Sequence, residues 1–254
     1  MRIVHFSDWH GETKNLPPAD LYVCTGDMLP NFRTHIIDVP GVGRVEWEHN
    51  IDLLGMPLSP CPEGKLVRKR LSFKREIKFQ TRYLTMMGPG YLRGLMASPD
   101  SPVVCCRGNH DFVDLAPMFA GGPVFEISKD PTRFLLVPSA ARTWKIGGVR
   151  GVRLHRGDWP DELMTEELLN RVMHLPLDLD ILVTHAPPEG ILDRIPCEGL
   201  NSPTIRAYIA KRGASSGPVL QAHLFGHIHE ERGMAVLDKT AFSNASGAFH
   251  VIEL

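Results

Sequence analysis

The sequence predicts a layered α/β fold: an αββα sandwich of two mixed β-sheets flanked by helices. Three observations predict it. Five short apolar runs each end in polar residues, as strands of an α/β sheet do at the carboxyl edge where ligands bind. Few helix-length amphipathic stretches lie between them. A further group of short strands follows, more than one helix-covered sheet would hold, so two facing sheets are expected.

Residues 1–6 form an apolar run ended by Ser7-Asp8, and 21–25 one ended by Gly26-Asp27. The pattern recurs at 103–106 before Arg107-Gly108-Asn109-His110-Asp111, at 181–183 before Thr184-His185, and at 222–225 before Gly226-His227-Ile228-His229. Apolar spacing predicts helices over 73–87, with Phe73, Ile77, Leu84 and Met87 on one face, over 161–174 and over 203–212. Further strands are expected at 134–137, 149–154, 234–237, 240–244 and 249–254, the late ones forming the second sheet. Asp27 and Asn109 are 82 positions apart, whereas a βαβ unit needs about 30 residues. An insertion at about 31–72 is therefore expected within a single domain covering 1–254.

The balance of 28 basic against 29 acidic side chains argues against a wholesale polyanion binder. No apolar stretch of about 18 residues occurs, and MRIVHFSDWH has the character of neither a charged nor an apolar leader segment, so a cytoplasmic protein without a membrane partner is expected. The five cysteines, Cys24, Cys61, Cys105, Cys106 and Cys197, contain no C-x-x-C pair and read as buried thiols rather than disulfides or a thiolate zinc site. Cys105 and Cys106, adjacent on a strand, must face opposite sides.

Five of the 12 histidines, His10, His110, His185, His227 and His229, stand in these strand-end motifs. With Asp8, Asp27 and Asn109 they supply imidazole, carboxylate and amide donors, the mixture suited to borderline divalent metals. The ordered series Asp8-x-His10, Gly26-Asp27, Gly108-Asn109-His110-Asp111, lone His185 and Gly226-His227-x-His229 resembles that of the calcineurin-like metallophosphoesterases. The stretch from Thr184-His185-Ala186-Pro187-Pro188 and the later Phe225-Gly226-His227-Ile228-His229-Glu230 are most similar to its small single-domain branch.

The resemblance implies a dinuclear-metal phosphoesterase. Asp8, His10, Asp27 and His229 would hold one divalent ion, and Asp27, Asn109, His185 and His227 the second, with Asp27 as the bridge. Two ions can share a hydroxide for in-line displacement at phosphorus. Mn2+ is the first choice and Fe, Zn, Ni and Mg are the others. Asp27, Asn109 and His110 form the catalytic set, with His110 the general acid and Asp111 a brace for its loop. The run Gly26-Asp27-Met28-Leu29-Pro30 departs from the G-D-x-x-D-R-G of protein phosphatases, so a small phosphodiester or cyclic nucleotide is the expected substrate, ahead of a monoester or phosphoprotein.

Eight basic side chains between Lys65 and Arg82 raise a competing reading, a metallonuclease, but no aromatic interleaving accompanies them and a solvated helix face ranks first. Nucleic acid therefore ranks behind a small phosphoester as partner. Phe79 and Tyr83 read as a helix-stabilising pair, Trp9 as a packing residue, and His155 and Arg156 as candidate phosphate contacts. A non-catalytic binding module would be expected to have lost ligands, and none of the seven ligand positions is missing.

Overall fold

Alternation of apolar side chains along short strands builds the molecule outward from a space between two sheets. A computed structural model of the chain describes residues 1–30, 36–39, 43–46, 73–154, 160–194, 200–214 and 218–254. The first sheet joins β1 (Arg2–Ser7), β2 (Leu21–Cys24), β5 (Val103–Cys105), β6 (Val124–Glu126) and β15 (Ala248–Glu253) in the order β15-β1-β2-β5-β6. The second joins β7 (Phe134–Pro138), β8 (Thr143–Val149), β11 (Ile181–Thr184), β12 (Ala222–Phe225), β13 (Gly233–Leu237) and β14 (Thr240–Asn244) in the order β13-β14-β12-β11-β8-β7. Both are mixed: parallel pairs fill their interiors, while β15 on β1, β13 on β14 and β7 on β8 are antiparallel.

The two faces of each strand enter different cores, as a period of two dictates. On β1, Val4 and Phe6 enter an outer core with Tyr22, Cys24 and Cys105, while Ile3 joins Leu21, Val23, Val104 and Cys106 between the sheets. Cys105 and Cys106 thus do face opposite sides; with Cys24 they are buried free thiols, and Cys61 and Cys197 lie outside the described residues. From the second sheet Ile146, Ile181, Val183, Ala222 and Leu224 close the inner core.

Helices cover both outer faces. α1 (Phe73–Met87) puts Tyr83 and Met87 into the outer core of the first sheet. Leu168 and Val172 of α2 (Thr165–Met173) and Ile205 and Tyr208 of α3 (Pro203–Gly213) pack on the second sheet through Leu179 and Leu182. α3 has a well-formed start: the Ser202 hydroxyl accepts from the Ile205 N–H at 3.2 Å, and Pro203 needs no N–H partner in the first turn. Among the described residues, no helix is long and apolar enough to cross a membrane.

Four expectations are corrected. The helix expected over 161–174 begins at Thr165, because Asp161 sits at φ 60° and Glu162-Leu163 pairs as β10 with β9 (Val152–Arg153). The strand expected over 149–154 is broken in two, β8 ending at Val149 and β9 starting at Val152 around Gly151 at φ 120°. The last strand, expected in the second sheet, crosses to the first and pairs with β1 along its whole length. On α1, Ile77 is 44% exposed, and the buried face carries Phe79, Tyr83 and Met87 with the polar Glu76 and Gln80. Phe79 and Tyr83 are thus core residues, while Lys78 and Arg82 face solvent. The other basic positions from Lys65 to Arg70, and His155 and Arg156, lie outside the described residues. Within 31–72 only β3 (Ile36–Val39) and β4 (Gly43–Glu46) are described, as an antiparallel pair. β2 and β5 are parallel neighbours despite the long connection between them.

Candidate metal centre

The carboxyl ends of five strands from both sheets meet at one edge. β1 delivers Asp8 and His10, β2 Asp27, β5 Asn109 and His110, β11 His185, and β12 His227 and His229. The loops are laced together: the N–H groups of Asp8, His10 and Gly11 donate to the carbonyls of Gly26, Asp27 and Met28 at 2.8–2.9 Å. Gly226 N donates to His185 O at 3.0 Å. Asp8, His10, Asp27 and His227 all have left-handed φ, between 48° and 75°. Such conformations cost about 1–3 kcal/mol each and persist where surrounding structure enforces them, commonly at functional sites.

Two glycines of the motifs make room for the carboxylates. A Cβ on Gly108 would lie 2.1 Å from Asp27 Oδ1, and one on Gly226 would lie 2.2 Å from Asp8 Oδ2. The motifs therefore begin with glycine because a neighbouring loop's acid occupies the side-chain volume.

Among the described residues, donor atoms gather in three groups, each within a 4.8 Å span: Asp8, His10 and His229; His10, Asp27 and His110; and Asp27, His185 and His227. His229 Nε2 lies 3.6 Å from Asp8 Oδ1, and His185 Nε2 lies 3.3 Å from Asp27 Oδ2 and 3.1 Å from Asn109 Oδ1. His110 Nε2 is 4.0 Å from Asp27 Oδ2, and its ring meets that of His10 edge-on at 5.2 Å. All eight residues named from the sequence are thus brought together, with Asp27 central.

The electrostatics suit a cation. Burial would raise the Asp27 carboxyl, but His185 and His110 beside it hold it well below the usual range. Asp8 behaves alike: burial is overcome by His229 and His185. Burial also works against charge on His185, yet Asp27 and Asp8 carry its pKa up to about 10. The field that draws a proton to this ring is a field that attracts a metal ion. Burial pushes His227 down to about 3 and lowers His10, so both stay neutral, the form that binds metal. Among the described residues, buried His10 Nδ1 and His227 Nε2 have no hydrogen-bond partner. Orphaned ring nitrogens among converging acceptors fit a metal-binding cradle.

Several supporting residues escape a motif-based reading. The Asp8 carboxylate accepts from His227 N at 3.0 Å and from Ser246 Oγ at 3.2 Å, and the Ser246 backbone N–H donates to Asn244 Oδ1 at 3.2 Å. Asn244 ends β14, a sixth strand ending in polar residues, and Ser246 follows it, which was the signal available. Gln80 reaches from α1 to the carbonyls of His110 (2.7 Å) and Pro30 (3.2 Å) and accepts from Phe112 N (2.6 Å). Asp161 binds Arg107 at 2.9 Å and Arg150 at 2.6 Å, tying the strand ends of the two sheets beside the loop that carries Asn109 and His110. Trp9 is a packing residue: it is buried against Phe6, and its Nε1–H donates to Ala248 O at 3.1 Å.

Residues 1–231 match the calcineurin-like phosphoesterase family. Over 114 residues the chain is 32% identical to metallophosphoesterase domain-containing protein 1 of Homo sapiens and to that of Mus musculus. Each alignment covers 39% of this chain and 32% of the relative, so the match spans about a third of those proteins' length. Among solved structures, the phosphopantetheinyl hydrolase of Mycobacterium tuberculosis aligns at a TM-score of 0.41 with 13% identity, over 95% of this chain and 87% of that one. The family match begins at the first strand and runs past His229, taking in all eight donor residues from Asp8 to His229, and on that match the chain belongs to the calcineurin-like phosphoesterase family.

Proposed function

We propose that this chain hydrolyses phosphate esters with two divalent cations. Asp8, His10, Asp27 and His229 hold one, and Asp27, Asn109, His185 and His227 the other. The observation that carries the reading is that the Asp27 carboxylate belongs to two donor groups, one with His10 and His110 and one with His185 and His227, while His10 also groups with Asp8 and His229. Two carboxylates against two dications leave net positive charge to attract a phosphoryl group. Bound there, the cations supply Lewis-acid stabilisation and water of lowered pKa.

Asn109 contributes an oxygen without adding negative charge that would repel the ester. His110, whose side chain is 18% exposed, is the group we assign to give a proton to the leaving oxygen. Burial pushes its pKa down to about 4, and the anionic charge of a bound ester raises it again. Mn2+ suits a site of imidazoles with carboxylate and amide oxygens.

The substrate we favour is a small phosphodiester, a cyclic nucleotide among the candidates, with monoesters slower. Support comes from Pro30, which stands where protein phosphatases carry the acid that orients their motif histidine; here the Pro30 carbonyl accepts from Gln80 instead. The deciding experiment is a panel of aryl monoester, aryl diester, 2′,3′- and 3′,5′-cyclic nucleotides, phosphopeptide and single-stranded DNA, each with Mn2+, Mg2+, Zn2+ and Ni2+. Diester turnover above all others is expected; faster phosphopeptide turnover overturns the substrate assignment, and no metal-dependent turnover overturns the reaction.

A further inference from the structure

Between the sheets, the inward-facing side chains change character as the strands run toward the metal centre. On β1 they read Ile3, His5, Ser7; on β2 and just beyond it Leu21, Val23, Thr25. β14 contributes Ser243. His5, Thr25 and Ser243 are fully buried and form a polar layer between the apolar inner core and the carboxylates of the site.

His5 uses both ring nitrogens in this layer. Nε2 lies 3.0 Å from Thr25 Oγ1 and Nδ1 lies 2.8 Å from Ser243 Oγ, which in turn lies 2.9 Å from His250 Nδ1 on β15. Burial, with His250 nearby, keeps His5 neutral, so its ring offers one donor and one acceptor, and the chain of bonds uses both. The Thr25 backbone is the next link: its N–H donates to Phe6 O at 3.1 Å, and its carbonyl accepts from His185 Nδ1 at 2.6 Å. A carbonyl only accepts, so in the neutral ring the proton is on Nδ1. The Nε2 lone pair then faces Asn109 and Asp27.

We propose that His5 is a positioning residue for the metal centre: it ties the Thr25 hydroxyl to Ser243 of the opposite sheet and so holds the Thr25 carbonyl that sets the tautomer and orientation of His185. The inference rests on the reading of His185 as a metal ligand. An apolar side chain would fill this position as Ile3 fills the layer below, without the desolvation cost of an imidazole. What the imidazole adds is a directed link between a ligand-bearing loop of the first sheet and the second sheet. Groups that orient a ligating histidine through its other ring nitrogen commonly change metal affinity by 10–100-fold when altered.

The test compares Thr25→Val, which keeps the β-branched shape and loses the hydroxyl, with Thr25→Ser, which keeps the hydroxyl, and with His5→Phe. The readouts are Co2+ affinity and the Co2+ absorption spectrum, with thermal unfolding of chelated protein alongside. Thr25→Val and His5→Phe are each expected to weaken Co2+ binding about 10-fold or more and to change the spectrum, with Thr25→Ser binding as the parent does. The double variant should lose no more than the weaker-binding single, since both cut one path. Unchanged affinity and spectrum in Thr25→Val, with only a lower melting temperature, would overturn the proposal and make the layer part of the fold alone. If His5→Phe fails to fold, the Thr25 pair decides by itself. A parent protein that takes up no Co2+ overturns the metal reading itself and this inference with it, an outcome distinct from a parent that binds and variants that match it.

Discussion

Asp111 Oδ2 accepts a hydrogen bond from the backbone N–H of Asp27 at 2.7 Å, so one buried carboxylate holds the loop that carries another. The same group takes the N–H of Gly108 at 2.9 Å and those of Met28 and Leu29 at 3.0 Å. Asp27 in turn accepts from the N–H of His110 at 2.7 Å through Oδ1. Asp111→Ala leaves four inward-pointing N–H groups without their acceptor, each worth about 1–3 kcal/mol when unsatisfied. A loss of about 3 kcal/mol or more in urea-measured stability is expected; a loss below about 1 kcal/mol would show that water replaces the carboxylate.

Asp27→Asn should weaken both metal positions together, because Asp27 groups with His10 as well as with His185 and His227. Metal analysis after reconstitution should fall from two equivalents per chain toward none, and a chelator should abolish parent activity until Mn2+ is restored. Full activity with one equivalent or none would contradict the shared bridge.

His110→Ala should leave metal content intact, since seven other donors remain. For alkyl or ribose leaving groups kcat should fall by roughly 10²–10⁴, the usual contribution of a positioned acid. With p-nitrophenol, which leaves without protonation, the loss should be clearly smaller. Equal losses on both would assign His110 to phosphoryl charge stabilisation instead.

His223 gives an acid limit to stability that is separate from catalysis. Its Nε2 lies 2.9 Å from Thr184 Oγ1, and because that hydroxyl donates to Ala186 O, the ring nitrogen is the donor. Burial pushes the imidazole down to about 3. Between an unfolded value near 6.5 and that folded value, the unfolded chain takes up a proton that the folded chain refuses. Stability therefore falls as pH drops through this window, by about 1.4 kcal/mol per unit at most from this group. In chelated protein, His223→Gln should lose stability less steeply between pH 6.5 and 5 than the parent. Parallel slopes would assign the acid sensitivity elsewhere.

Much of the site was legible because each donor follows its strand within a few residues. Asp8, Asp27, Asn109, His185 and His227 stand directly after apolar runs, where strand and loop are set by local pattern. Gln80 was not legible, since its partners Pro30 and His110 lie 50 and 30 positions away and a polar side chain on a basic helix reads as solvated. Ile77 shows the converse error: apolar spacing turned it inward, while burial of Glu76 and Gln80 turned that face outward.

By itself the sequence determined the inventory of donors, their order, the strand-and-helix alternation and the glycines beside the acids, because each follows from residue type and short-range spacing. Tertiary structure alone decided that β15 pairs with β1, that Ser246 braces Asp8 from 238 positions away, and that Asp27 shares in two donor groups. The reason is physical: strand order and inter-sheet contacts are settled by burying two faces of each sheet at once. That balance is struck among residues hundreds of positions apart, beyond the reach of any local pattern.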